Sequence, residues 1–152
     1  MSNEYFEKLA ELNAAEVPFA VATVIKITGS VSAKTGAKSI IDENGATLFG
    51  WVGGGCAEEA VREAALESLR DGQTQIVPLD LDDEILGVGM PCGGTMEVYV
   101  EPYMPRPELM IVGHGRIAEV LAQLAHTVHF SITVNDSAAT RESFPTAESL
   151  IT

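Results

Sequence analysis

The chain has 152 residues, 46% of them hydrophobic and 20% charged, enough apolar content for one good core and a small second unit, and too much for a disordered chain. Its formal net charge of −13, with no run of Lys or Arg, argues against nucleic acid as a partner, because a polyanion repels such a surface. No apolar run reaches the length of a membrane span, and the acidic, amphipathic start is neither a signal nor a transit peptide, so no membrane partner and a cytoplasmic location are expected.

Taken in order, residues 4–15 read as a helix, with Phe6, Leu9, Ala10 and Leu12 at helical spacing. Residues 17–28 alternate and read as a strand that puts Val17, Phe19, Val21, Thr23, Ile25 and Ile27 on one face. A polar, glycine-containing loop follows over 29–39. Residues 39–42 and 46–52 flank Glu43-Asn44-Gly45 and read as a β-hairpin. Residues 57–70 carry an apolar stripe of Ala60, Val61, Ala64, Ala65 and Leu69. Glu58 and Glu59 lie in the first turn, Arg70 in the last, and Gly72 follows as a cap, so this is the best-marked helix.

Residues 73–81 read as a strand, 82–94 as a loop and 95–103 as another strand. The two prolines in 103–107 mark an extended linker. Beyond it, 108–136 read as strand, glycine turn, helix and strand, and the last sixteen residues carry no strong signal. The expected fold class is α/β: a mixed N-terminal domain over 1–102, then an incomplete Rossmann-like βαβ unit over 108–152.

Two glycine-flanked cysteines are the main chemical signal. Gly53-Gly54-Gly55-Cys56 opens the best-marked helix. Glycines suit close approach of backbone to a ligand, and a helix N-terminus favours a thiolate or a bound phosphate. The plain alternative is a glycine turn followed by a small core thiol. Pro91-Cys92-Gly93-Gly94, preceded by Gly87 and Gly89, is a second loop of the same character. If the two loops converge, they make a site with two soft sulfurs. In a cytoplasmic setting these are free thiols or ligands rather than a disulfide. Two cysteines are too few for a structural zinc site, and His114, His126 and His129 have no ligand-like spacing.

Three weaker signals remain. The loop with Ser30 and Lys34 has hydroxyls and lysines suited to an anion, but it lacks the P-loop order and also reads as a solvated loop. Asp80, Asp82, Asp83 and Glu84 could hold Mg²⁺, or form a solvated acidic turn. Gly113-His114-Gly115-Arg116-Ile117-Ala118 matches G-x-G-x-x-[GA] between a strand and a helix. Asp136 lies 18 residues past Ala118, where a ribose-binding acid would sit, so NAD(P) is a candidate ligand. A full dinucleotide domain needs more strands than 108–152 supplies, so the chain reads as a fragment or as a short variant that uses a partner.

These motifs resemble the XdhC/CoxI maturation factors of molybdenum hydroxylases. The resemblance spans nearly the whole chain: Gly29-Ser30 with Gly36-Ala37, Gly53-Gly54-Gly55-Cys56 with Glu58, Cys92-Gly93-Gly94, Glu101-Pro102, and the glycine turn from Gly113. It implies an N-terminal α/β domain followed by a Rossmann-like one. It implies a cofactor chaperone rather than a self-sufficient enzyme, binding molybdenum cofactor (molybdopterin), and leaves open whether Cys56 and Cys92 are soft ligands to molybdenum, carry sulfur or only pack. The implied partners are a cysteine desulfurase, a xanthine dehydrogenase- or CO dehydrogenase-type apoenzyme, and a second copy in a homodimer. Ser32-Ala33 stands where the family tends to have Pro-Arg, which leaves Lys34 to supply positive charge as a point charge rather than a fork. Ser39 replaces the family's usual Met. A nucleotide-dependent oxidoreductase and a ligand-free docking module are the competing readings.

Overall fold

The computed structural model describes residues 3–81 and 94–151. The chain divides into two compact units, Met1–Pro105 and Arg106–Thr152.

The first unit holds helix α1 (Asn3–Ala14), strands β1 (Phe19–Gly29), β2 (Lys38–Asp42) and β3 (Thr47–Gly50), helix α2 (Cys56–Asp71), and strands β4 (Gln75–Asp80) and β5 (Gly94–Tyr103). The strands form one antiparallel sheet in the order β3-β2-β1-β5-β4. Helix α2 carries the chain from the β3 edge to the β4 edge. It presents Ala57, Val61, Ala64, Ala65 and Leu69 to Ala20, Ala22, Val24, Met96, Val98 and Val100. Gly72 ends it in the left-handed conformation, donating its N–H to the Ser68 carbonyl at 2.8 Å, as a glycine cap does. On the other face, Tyr5, Leu9 and Leu12 of α1 pack with Phe19, Val21, Ile40 and Phe49.

The structure departs from the sequence pattern at three places. Phe6 does not join the buried face of α1; it is 56% exposed, and Tyr5 takes its place in the i, i+4, i+7 set with Leu9 and Leu12. Strand β1 does not keep its alternating residues on one side. The pairing with β5 slips between Val24 and Lys26, leaving Ile25 exposed and turning Ile27 toward the α2 side, opposite Met96. Strand β3 is shorter than 46–52, since Gly50 turns the chain with φ +74 where a Cβ would sit 2.0 Å from the Lys38 carbonyl oxygen. The hairpin turn stands as read: the Asp42 carboxylate accepts from the N–H groups of Asn44 and Ala46.

The second unit holds β6 (Glu108–Val112), α3 (Arg116–Thr127), β7 (Ser131–Asn135) and β8 (Ser149–Ile151). The strands form a parallel sheet in the order β6-β7-β8. Its core joins Ile111, Ile132, Val134 and Phe144 with Ala122 and Ala125 of α3. Strand β8 extends the sheet beyond the single βαβ unit expected. Its three residues are too few to show a period. Among the described residues, no helix is long and apolar enough to cross a membrane.

Candidate functional site

In the first unit, the glycine loops meet β5 at its beginning. Gly29 ends β1 and pairs with Gly94, the first residue of β5. A Cβ on Gly94 would lie 2.7 Å from the Thr28 carbonyl oxygen and 2.9 Å from the Ser30 nitrogen. That closeness is available only to glycine, and it seats the Ser30 backbone against β5. Two residues on, Met96 is buried under the other loop: a Cβ on Gly53 would lie 3.2 Å from Met96 Cε and 3.1 Å from Ala57 Cβ. Thus Ser30, Gly53 and Gly94 are tied to one stretch of β5.

The turn itself is well suited to an anion or a soft metal group. Gly53 (φ +143) and Gly55 (φ +61) both adopt backbone conformations that favour glycine. Gly55 caps α2 without a side-chain hydrogen bond, and Glu59 donates to the Gly55 carbonyl, so the N–H groups of Cys56, Ala57 and Glu58 precede the first intrahelical bond. Cys56, the first helical residue, is half-buried. No atom would lie within 4 Å of a Cβ on Gly55, so space is open beside it. Glu58 is exposed in the first turn of α2, where its carboxylate accepts from the Thr47 hydroxyl at 3.5 Å.

The loop after β1 divides its residues between core and solvent. Ala33 is buried, Val31 packs on the same core, and Gly36 donates to the Val24 carbonyl at 2.8 Å. Lys34 and Ser30 are exposed. The position of Ala33 therefore serves packing, and Lys34 is the residue there that offers charge. Cys92 and Gly93, with Asp82, Asp83 and Glu84, lie outside the described residues.

The second unit carries the glycine turn as a separate arrangement. Gly113 (φ +118) and Gly115 (φ +98) link β6 to α3, with open space beside both. Ala118 packs on the core, the role a small residue takes at the end of this fingerprint. Asp136 follows β7 directly, but its carboxylate is engaged. Oδ1 accepts from the Ala138 N–H at 2.8 Å and from His114 Nδ1 at 3.0 Å. The Ala138 amide, then His114, holds its pKa below the usual aspartate value.

This depression has a defined sign. The contribution of Asp136 to stability is complete above the ordinary carboxylate range and is lost as pH falls through its lowered native value. Asp136→Asn is expected to flatten the acid limb of the unfolding midpoint against pH. An acid limb identical to that of the parent would contradict the assignment. His114 had no local signal in the sequence; its partner is 22 positions away and is reached only through parallel pairing of β6 with β7.

Residues 12–80 match the model of the XdhC and CoxI family. The uncharacterized protein YqeB of Escherichia coli (strain K12) is 29% identical over 150 residues, 96% of this chain and 27% of that protein. A probable xanthine dehydrogenase subunit from Bacillus subtilis (strain 168) is 33% identical over 85 residues, 53% of this chain and 25% of that protein. The chain thus spans about a quarter of the length of these curated relatives. A crystal structure of a xanthine dehydrogenase from Bacillus halodurans shares the fold at 20% identity, with a TM-score of 0.55 over 95% of this chain and 67% of that one.

Proposed function

We propose that the chain is a member of the XdhC and CoxI family, whose model matches residues 12–80, and that it serves the maturation of a xanthine dehydrogenase-type hydroxylase by binding molybdenum cofactor, assisting its sulfuration and passing it to the apoenzyme. The observation that carries this reading is the Gly53–Cys56 turn, held against the start of β5 and opening α2.

The residues suit the group chemically. The cofactor bears a phosphate and a soft, sulfur-bound metal. The N–H groups at the start of α2 would hold the phosphate, and the Cys56 sulfur would approach the metal side. Gly53 and Gly55 let the backbone come close where a side chain would intervene. Lys34 adds a point charge from the neighbouring loop. When bound, the cofactor supplies the redox-active centre that the hydroxylase uses. The sulfur comes from a cysteine desulfurase, with this chain holding the acceptor. Docking of the desulfurase, a homodimeric state and a cytoplasmic setting belong to the same proposal.

Purified protein loaded with molybdopterin tests it. Cys56→Ala and Cys92→Ala are each expected to weaken pterin retention by about tenfold, the loss that about 1.4 kcal/mol of binding energy represents. Unchanged retention in both variants would remove the cysteines from the site.

A second reading, an NAD(P)-dependent oxidoreductase, is favoured by one observation: the open glycine turn after β6 with Asp136 at the end of β7. A ribose hydroxyl would share that carboxylate with His114, which donates to Oδ1. Titration with NAD(H) and NADP(H) decides it, and absence of binding at millimolar ligand removes it.

A further inference from the structure

The three glycines before Cys56 are not equivalent. Gly55 has open space beside it, and Gly54 meets only Trp51 at 3.9 Å. Gly53 alone is wedged, between Ala57 Cβ and Met96 Cε. Met96 is 2% exposed and belongs to the same core as Val52 and Ala57, the residues that flank the turn on either side. It also lies two residues from Gly94, whose close fit against Thr28 and Ser30 fixes the start of β5.

We infer that Met96 is the positioning residue of the Cys56 turn: its methyl group, set under Gly53, holds the turn in register with β5 and so sets how open the Cys56 sulfur is. An unbranched thioether suits the task, because it reaches along the sheet surface and fills an irregular gap under backbone. Without it, two flexible glycines would be left to define the approach to α2. The inference deepens the reading of this turn as the ligand site, and rests on it.

Its test needs no pterin. Alkylation of Cys56 by iodoacetamide, followed at the peptide level so that Cys92 is counted separately, reports how open the turn is. Met96→Ala is expected to raise the native-state rate at Cys56 by about fivefold, the change that about 1 kcal/mol less resistance to local opening produces. Met96→Leu, close in volume, should restore the parental rate. Val61→Ala, a truncation in the same core on the middle of α2, should lower stability without changing the rate.

An unchanged rate in Met96→Ala, or an equal rise in Val61→Ala, overturns the inference. Should Met96→Ala fail to fold, Gly53→Ala forces the same contact apart from the other side, and it too should speed alkylation. An unchanged rate there counts against the inference equally. If Met96→Ala leaves the rate alone while Cys56→Ala still releases pterin, the positioning role falls and the proposed ligand site stands.

Discussion

Gly94→Ala is expected to lower the stability of the first unit by about 3 kcal/mol, at the upper end of what an overpacked site costs. The added methyl would stand 2.7 Å from the Thr28 carbonyl oxygen and 2.9 Å from both the Ser30 nitrogen and Val31 Cγ2. Two of those three neighbours are backbone and cannot rotate away. The strands must part or the Ser30 loop must shift, and either change disturbs the core around Val31 and Met96. Gly36→Ala is the control: Gly36 has φ +86 and open space around it, so its cost is about 1–2 kcal/mol of backbone strain alone. Urea midpoints at constant slope measure both. Equal losses would mean that the close approach at Gly94 carries no weight.

Phe144→Ala should cost about 3–5 kcal/mol and melt the second unit. Among the described residues Phe144 is the largest fully buried side chain, and it packs with Ile132, Val134, Ala139 and Ala147. A unit of this size buries a smaller share of its surface than a larger domain, so it has little stability to spare. Hydrogen exchange should show Thr133 and Val134 losing protection while Val98 and Val100 in β5 keep theirs. Loss of protection in both units together would refute the separate cores.

Alkaline pH offers a milder probe of the first unit. Burial first, then the neighbouring Glu101, pushes the Tyr103 pKa up to about 12. Its native value lies above the unfolded one, so its contribution is complete below pH 10 and is lost as pH rises through about 12. Tyr103→Phe should remove that part of the alkaline decline, as read from unfolding midpoints.

What the sequence disclosed follows from how local each signal is. The α2 stripe, the Gly72 cap, the hairpin turn and the Gly113 turn each lie within one short stretch and are present, with Ala57 rather than Ala60 on the buried face of α2. The bulge at Ile25 was illegible because an alternating pattern cannot show where its partner strand slips. Strand β8 was illegible because its support is the neighbouring β7 rather than its own three residues. At the candidate site, Gly53, Gly55, Cys56 and Gly94 were found from composition and order. Met96 and His114 were not, since each acquires its role from a neighbour brought near by sheet pairing.

The pairing of β1 with β5 has a consequence for how the site comes into being. It joins residues 19–29 to 94–103, so it closes a loop that contains β2, β3, α2 and β4. Closing a loop of that length carries an entropic cost before any contact compensates it, and such pairings form slowly. The Cys56 turn lies inside the loop, and its anchor Met96 arrives only when the last strand docks. A chain halted before β5 would have α2 and its three glycines, but no floor beneath them. Formation of the site and completion of the sheet are therefore one event in folding.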